Sequence, residues 1–390
     1  MEILSLLKDV GVMCYDEKGN IGNKSKDDIS QYKVARRGDL VLNSMNVIIG
    51  SVGVTPFDGL ISPAYYALIP REKVEAKYYE LLMRLPAVQQ VLKGYAKGIM
   101  EIRLRISTID LLGMKFPVPP PDEQKAIVAY LDAKTAKIDR LIKLKEREIE
   151  LLQEKKQAVI SRVVTRGLDP NVKLVDSGVD WIGKVPDGWR LYRLKYIARS
   201  NLKSLGETTD PERRIRYLDI GSVGTGYVKI EPETYLFSGA PSRARRIVEE
   251  GDTIVSTVRT YLKSVLYITK EYADCIVSTG FSVLSPLVDK VDARFLGCML
   301  VSDYFVNSVV LESNGVSYPA INDSRLLALP IVLPPIEEQR KIVTYLDAET
   351  AKTDKAIAAV TRQIALLKEY RTRLISDAVT GRIDLREAVA

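Results

Sequence analysis

Six polar side chains recur at a fixed interval in this 390-residue chain. Glu123, Gln124, Tyr130, Asp132, Thr135 and Asp139 lie in EQKAIVAYLDAKTAKIDRLI (123–142). Glu338, Gln339, Tyr345, Asp347, Thr350 and Asp354 follow 215 positions later in EQRKIVTYLDAETAKTDKAI (338–357), which agrees with the first window at 13 of 20 positions. What such residues can do depends on what accompanies them. The chain has no histidine, which removes His-based triads, HExxH metal sites and imidazole bases. Cys14, Cys275 and Cys298 form no CxxC pair, so neither a disulfide framework nor a zinc site is expected. There is no GxxxxGK[ST] loop and no GxGxxG turn after a strand, the usual cradles for nucleotide phosphates. The repeated residues are left to cap helices, pack between them or contact a protein partner. The chain is expected to hold something for another protein rather than to react.

The elements carrying these residues read as long helices. Each opens after a proline-rich stop, FPVPPPDEQ (116–124) and IVLPPIEEQ (331–339). Proline disfavours helix before it and is tolerated in a first turn, where Asp122, Glu123, Glu337 and Glu338 suit the positive end of the helix dipole. Ile138, Ile142, Ile149, Leu152, Val159 and Val163 fall on three- and four-residue steps, interrupted by Lys145 and Lys156. Ile357, Val360, Ile364, Leu367, Leu374 and Ala378 do the same in the second copy. A narrow stripe of this kind is a coiled-coil seam. A helix of about 42 residues makes a rod of roughly 60 Å, and it needs a partner for its seam. Two copies of one unit related by a pseudo-two-fold axis would pack antiparallel; the alternative is that each helix packs on its own globular domain.

The repeat continues from LLQEKKQAVISRVVTRGLD (151–169) to LLKEYRTRLISDAVTGRID (366–384) and fades upstream, where Arg37-Gly38-Asp39 faces Glu250-Gly251-Asp252 and VEAKYY (74–79) faces VDARFL (291–296). The segments before each helix hold short β-rich runs broken by Gly, Pro, Asp and Asn, among them DLVLNSMNVIIGSVGV (39–54) and TIVSTVRTYLKSVLYI (253–268). Helical stretches follow at 77–95 and 294–311. This is the pattern of mixed α/β domains. With 46% apolar and 27% charged residues the balance is that of a globular protein. No segment reaches 18 uninterrupted apolar residues and MEILSLLKDVG lacks a basic leader, so a cytoplasmic protein without a membrane partner is expected. A net charge of +7 is compatible with a polyanion such as DNA.

Two variable domains, each followed by a proline-led PPxxEQxxIVxYLDxxTAKxD helix, resemble the DNA-specificity subunit of type I restriction-modification enzymes. DWIGKVPDGWRLYRLKYIA (180–198), GDTIVSTVR (251–259) and GVSYPAIN (315–322) add to the likeness. The resemblance implies an α+β fold with a first target recognition domain over 1–121, a conserved helical region over 122–166, a second recognition domain over 167–336 and a second helical region over 337–390. The two helices would form an antiparallel coiled coil with pseudo-two-fold symmetry. It also implies a bipartite, asymmetric target in double-stranded DNA, with the helices fixing the spacing between half-sites. Two methyltransferase subunits, and restriction/translocase subunits through the complex, would be the partners. The chain would be non-catalytic, and neither S-adenosylmethionine nor ATP would bind it. The first domain departs from the family's pattern: 37 residues precede Gly38, whereas 82 run from Asp169 up to Gly251, so either the natural chain is longer or the first recognition domain is short at its N-terminus.

Phosphate contacts supply affinity and base-edge contacts supply specificity. In the second domain the candidates are Arg243, Arg245 and Arg246 in GAPSRARR, Arg259, Tyr261 and Lys263 in VRTYLK, and Ser317, Tyr318 and Asn322. Arg259 and Asn322 are the expected base readers, since Arg takes guanine and Asn adenine bidentately. In the first domain Lys24, Lys26, Arg36, Arg37, Asn43, Asn46, Arg103 and Arg105 occupy comparable stretches. The bland reading of each is a solvated side chain beside a strand. Methyltransferase docking is shared by the resemblance among the twelve repeated helix residues. An assembly-only or decayed subunit, binding partners without reading DNA, is the second function kept open, and an enzyme in its own right is the third.

Overall fold

The computed structural model describes residues 1–8, 10–19, 29–71, 74–98, 104–116, 118–179 and 182–385. The chain divides into two units, Met1–Glu146 with Thr361–Ala390, and Arg147–Val360. Two long helices, α4 (Pro121–Arg166) and α8 (Ile336–Val379), each give one half to each unit.

The unit containing the N-terminus has a three-stranded antiparallel sheet in which Leu40–Asn43 lies between Val52–Val54 and Tyr65–Leu68. Two short antiparallel pairs flank it, the hairpin of Leu4–Leu7 with Gly11–Cys14 and the non-consecutive strands Lys33–Ala35 and Gly59–Ile61. Helices α1 (Ala76–Met83) and α2 (Pro86–Tyr95) follow, broken at Leu85 before the proline, and α3 (Thr108–Gly113) is capped by Ser107. The core joins Leu40, Leu42, Val52, Met83, Leu92 and Ile106.

The second unit is larger. One four-stranded sheet orders Ala198–Ser200, Phe281–Pro286, Thr253–Ser256 and Val265–Tyr267; the other orders Glu233–Leu236, Arg214–Leu218, Cys275–Ser278 and Ala244–Ile247. Helices α5 (Ala293–Val301) and α6 (Asp303–Leu311) meet at Ser302, whose hydroxyl caps the second, and α7 (Asp323–Leu326) is a single turn. Phe295, Leu296, Met299 and Phe305 share a core with Ile160, Val163 and Val164 of α4 and Ile342 and Leu346 of α8. Among the described residues no single helix is long and apolar enough to cross a membrane.

Within each unit the two long helices run antiparallel. In the first, Leu131, Asp132 and Thr135 share a cleft with Arg371, Thr372 and Ile375, and Asp139 Oδ1 meets Arg371 Nε at 2.8 Å. In the second, Ile160 and Val164 pack with Ile342 and Leu346, and Lys156 Nζ meets Asp354 Oδ1 at 2.7 Å. Of the expected seam, Ile138, Ile142, Val163, Val360, Ile364, Leu374 and Ala378 are buried, whereas Ile149, Leu152, Val159, Ile357 and Leu367 are half-buried. Both packing alternatives are realised together, since the helices pair and also close the core of the domain beside them.

The faint upstream repeat is structural. Gly38 and Gly251 both sit at φ +93°, a backbone that glycine adopts without strain. Asp39 Oδ2 accepts from Arg36 N at 2.8 Å and Asp252 Oδ2 from Glu249 N at 2.9 Å. The Gly-Asp pair closes the same tight turn into the same strand in both units.

Candidate nucleic-acid interface

In the second unit, a turn between the strands Thr253–Ser256 and Val265–Tyr267 carries Arg259, Tyr261 and Lys263. Arg259 and Lys263 stand at φ +51° and +52°, the left-handed region, on either side of a single 3-10 turn. Side chains with a Cβ pay to be there, and the surroundings must hold them. Val258 bridges Ala320, and Thr260 N donates to Pro319 O at 3.3 Å, which ties the turn to the 314–320 hairpin. Tyr318, 68% exposed, lies under the Arg259 guanidinium at 5.5 Å from ring centroid to Cζ. Thr257 N reaches Gly280 O at 2.8 Å, and Thr279 N reaches Arg243 O at 2.8 Å, so Arg243 joins the same end of the two sheets. Burial pushes the Tyr217 phenol up, and the nearby Arg243 charge opposes that rise. Arg243, Arg259, Tyr261, Ser317 and Tyr318 are all exposed. An arginine resting on an aromatic face can take phosphates or base edges.

The other candidates of this unit have work within the fold. Lys263 Nζ donates to Asn307 Oδ1 at 3.0 Å. Asn322, expected to read a base, spends its Oδ1 on Arg325 N at 2.8 Å as the cap of α7. Arg245 stacks on Phe237 at 4.6 Å, and Arg246 is partly buried with its Nε unpaired.

In the first unit Asn43 is 6% exposed, and its Oδ1 accepts from Met45 N at 3.1 Å, so it shapes its turn and offers no edge to a ligand. Asn46 is exposed at the head of the next turn (Val47–Ile49) and makes no side-chain capping bond. Arg36, Arg37 and Arg105 are exposed; Arg37 N donates to Asp58 and Arg105 pairs its backbone with Lys97. Lys24, Lys26 and Arg103 lie outside the described residues.

The repeated helix residues divide sharply. Gln124 and Gln339 are buried at 2% and 1%. Gln124 accepts from Glu75 N at 3.1 Å and donates to Pro119 O at 2.8 Å; Gln339 accepts from Asp292 N at 2.9 Å and donates to Pro334 O at 2.9 Å. Each amide latches the proline strap to the start of the preceding domain helix, α1 or α5, and is buried away from any partner. Thr135 and Thr350 bond back to Leu131 O and Leu346 O, each at 2.7 Å. Asp139 and Asp354 make the inter-helix ion pairs, Asp347 holds Arg294 at 2.8 Å, and Glu338 accepts from Trp189 Nε1 at 3.2 Å. Glu123, Tyr130, Asp132 and Tyr345 remain as outward or half-exposed candidates for docking.

Sequence reasoning missed Arg294, Lys156 and Asn201. Arg294 stacks on Tyr267 at 4.9 Å while bonding Asp347. Lys156 looked like a break in the seam, yet Arg371 stands 215 positions on and makes the equivalent ion pair; that spacing was the available signal. Asn201, at φ +54°, joins Val283 N to Asp323 and left no signal in the sequence.

Residues 187–364 match the family model described as type I restriction modification DNA specificity domain. The chain is 24% identical over 337 residues to the type I restriction enzyme MjaVIII specificity subunit of Methanocaldococcus jannaschii, covering 84% of this chain and 75% of that protein. It is 24% identical over 382 residues to the putative MjaX specificity subunit of the same organism, covering 94% and 83%. Among solved structures it is similar to one described as the structural basis underlying complex assembly and conformational transition of the type I R-M system. That likeness has a TM-score of 0.63 at 20% identity, over 90% of this chain and 84% of the other, and it concerns the fold.

Proposed function

We propose that this chain, which carries a type I restriction modification DNA specificity domain over residues 187–364, is the non-catalytic DNA-reading subunit of a type I complex. Each unit reads one half of a split, asymmetric target. The paired helices set the spacing and dock two methyltransferase subunits, through which restriction/translocase subunits join. The observation that carries this is a turn with one hydrogen-bond pattern in both units and different side chains: Arg259, Tyr261 and Lys263 in one, Asn46, Ile48 and Gly50 in the other. A reader of two unlike half-sites needs a constant frame and changed contacts.

The test is co-expression with methyltransferase subunits and a genome-wide map of methylated adenines. A split motif supports the proposal. An unmethylated genome with a complex that still assembles supports the second reading, an assembly-only subunit; that reading is favoured by the absence of any cation at Asn46, Ile48 and Gly50.

A further inference from the structure

The turn headed by Arg259 has its counterpart 213 residues upstream at Asn46. Leu262 N donates to Arg259 O at 2.9 Å, and Ile49 N to Asn46 O at 3.1 Å; Lys263 N reaches Thr260 O and Gly50 N reaches Val47 O, each at 2.9 Å. Behind them, Ile321 N donates to Thr257 O at 2.9 Å and Ile106 N to Ser44 O at 3.1 Å. The first residue of the turn therefore holds the same place in the hydrogen-bond pattern of both units, on a left-handed backbone at Arg259 (φ +51°) and at φ −115° at Asn46. At that place the polar head is uncommitted. Arg259 rests on Tyr318 and has no ion pair among the described residues, and Asn46 makes no capping bond. The other asparagines considered, Asn43 and Asn322, have their acceptors engaged.

We propose that this position determines specificity: Arg259 takes the O6 and N7 edge of a guanine in one half-site, and Asn46 the N6 and N7 edge of an adenine in the other. The inference rests on the DNA-reading function proposed above. A guanidinium fork carries only donors and matches the two acceptors of guanine, whereas a carboxamide offers one donor and one acceptor, which adenine answers. The Tyr318 ring, 5.5 Å from the guanidinium carbon, gives the fork an aromatic rest beside the turn.

The experiment uses the full chain co-expressed with its methyltransferase subunits, reading the methylated motif for the wild type, Arg259→Gly, Arg259→Gln and Asn46→Ala. Glycine accepts the left-handed backbone at no steric cost, so its effect on reading is separable from folding. Arg259→Gly should relax one guanine of one half-site by about tenfold or more, leaving the other half-site and the spacing intact. Arg259→Gln should move that position toward adenine, and Asn46→Ala should relax one adenine of the other half-site. An unchanged motif with methylation lowered evenly at every site would make Arg259 a phosphate contact and overturn the assignment, as would relaxation at a base other than guanine. A wild-type map without a split motif would instead sink the DNA-reading function, and this inference with it.

Discussion

At the scale of single residues, the buried amides of Gln124 and Gln339 do more for the fold than the ion pairs beside them. Gln339 satisfies the Asp292 amide at the start of α5 and the Pro334 carbonyl. Gln339→Ala strands both groups, at about 1–3 kcal/mol for each buried group left unpaired. Urea unfolding should show a loss of about 2–4 kcal/mol, and Gln124→Ala the same. Asp354→Asn, breaking a partly exposed ion pair, should cost under about 1 kcal/mol. A second prediction concerns thiols. Burial pushes Cys275 and Cys298 up to about 11 from 9.0, so both stay protonated at neutral pH and neither should react with a thiol reagent at pH 8 unless the protein is unfolded. The sign of the linkage follows from the raised value: the stabilisation is fully present below pH 9 and is lost as pH climbs toward 11. Alkaline unfolding of the wild type should thus be steeper than that of Cys298→Ala.

At the scale of elements, the two turns make a natural comparison. Gly50 holds at φ +85° the place that Lys263 holds at +52°. Lys263→Gly should raise stability by up to about 1 kcal/mol, the left-handed cost for a residue with a Cβ, less the lost bond to Asn307. A fall in melting temperature would show that the lysine contact outweighs the backbone strain. The helices were legible in the sequence because proline stops, acidic first turns and a narrow apolar stripe all agree on them. The split of each following stretch at Leu85 and Ser302 was less visible, since one break is set by a proline and the other by a serine cap. Matched residues at 215 positions apart could not separate packing from docking, because a paired helix keeps both kinds. The amide latch, the threonine back-bonds and the ion pairs took most of that list. Asn43 was misplaced because its strand, Leu40–Asn43, is buried along its whole length, so polarity did not mean exposure. Arg259 with Tyr318 depended on a hairpin closing from more than 50 residues away, which no local pattern encodes.

At the scale of the whole molecule, the proposed function makes the long helices a ruler. Four residues inserted after Ile142 advance everything beyond by roughly 6 Å and also turn the seam of α4. The methylated motif should then keep both half-sites and change their spacing, or binding should be lost. New half-site sequences at the old spacing would contradict the division of labour between helices and domains. DNA affinity itself should fall steeply with added salt, as for any protein held by phosphates.

The glutamine latch has one more consequence. It joins each domain to its helix with neutral groups, sealed from water, so added salt and changes of pH leave it untouched. On the proposed function, the grip on nucleic acid would be tuned by ionic conditions while the joint that aims that grip would not. Such a joint lets a reader release a wrong sequence and try the next without losing its aim.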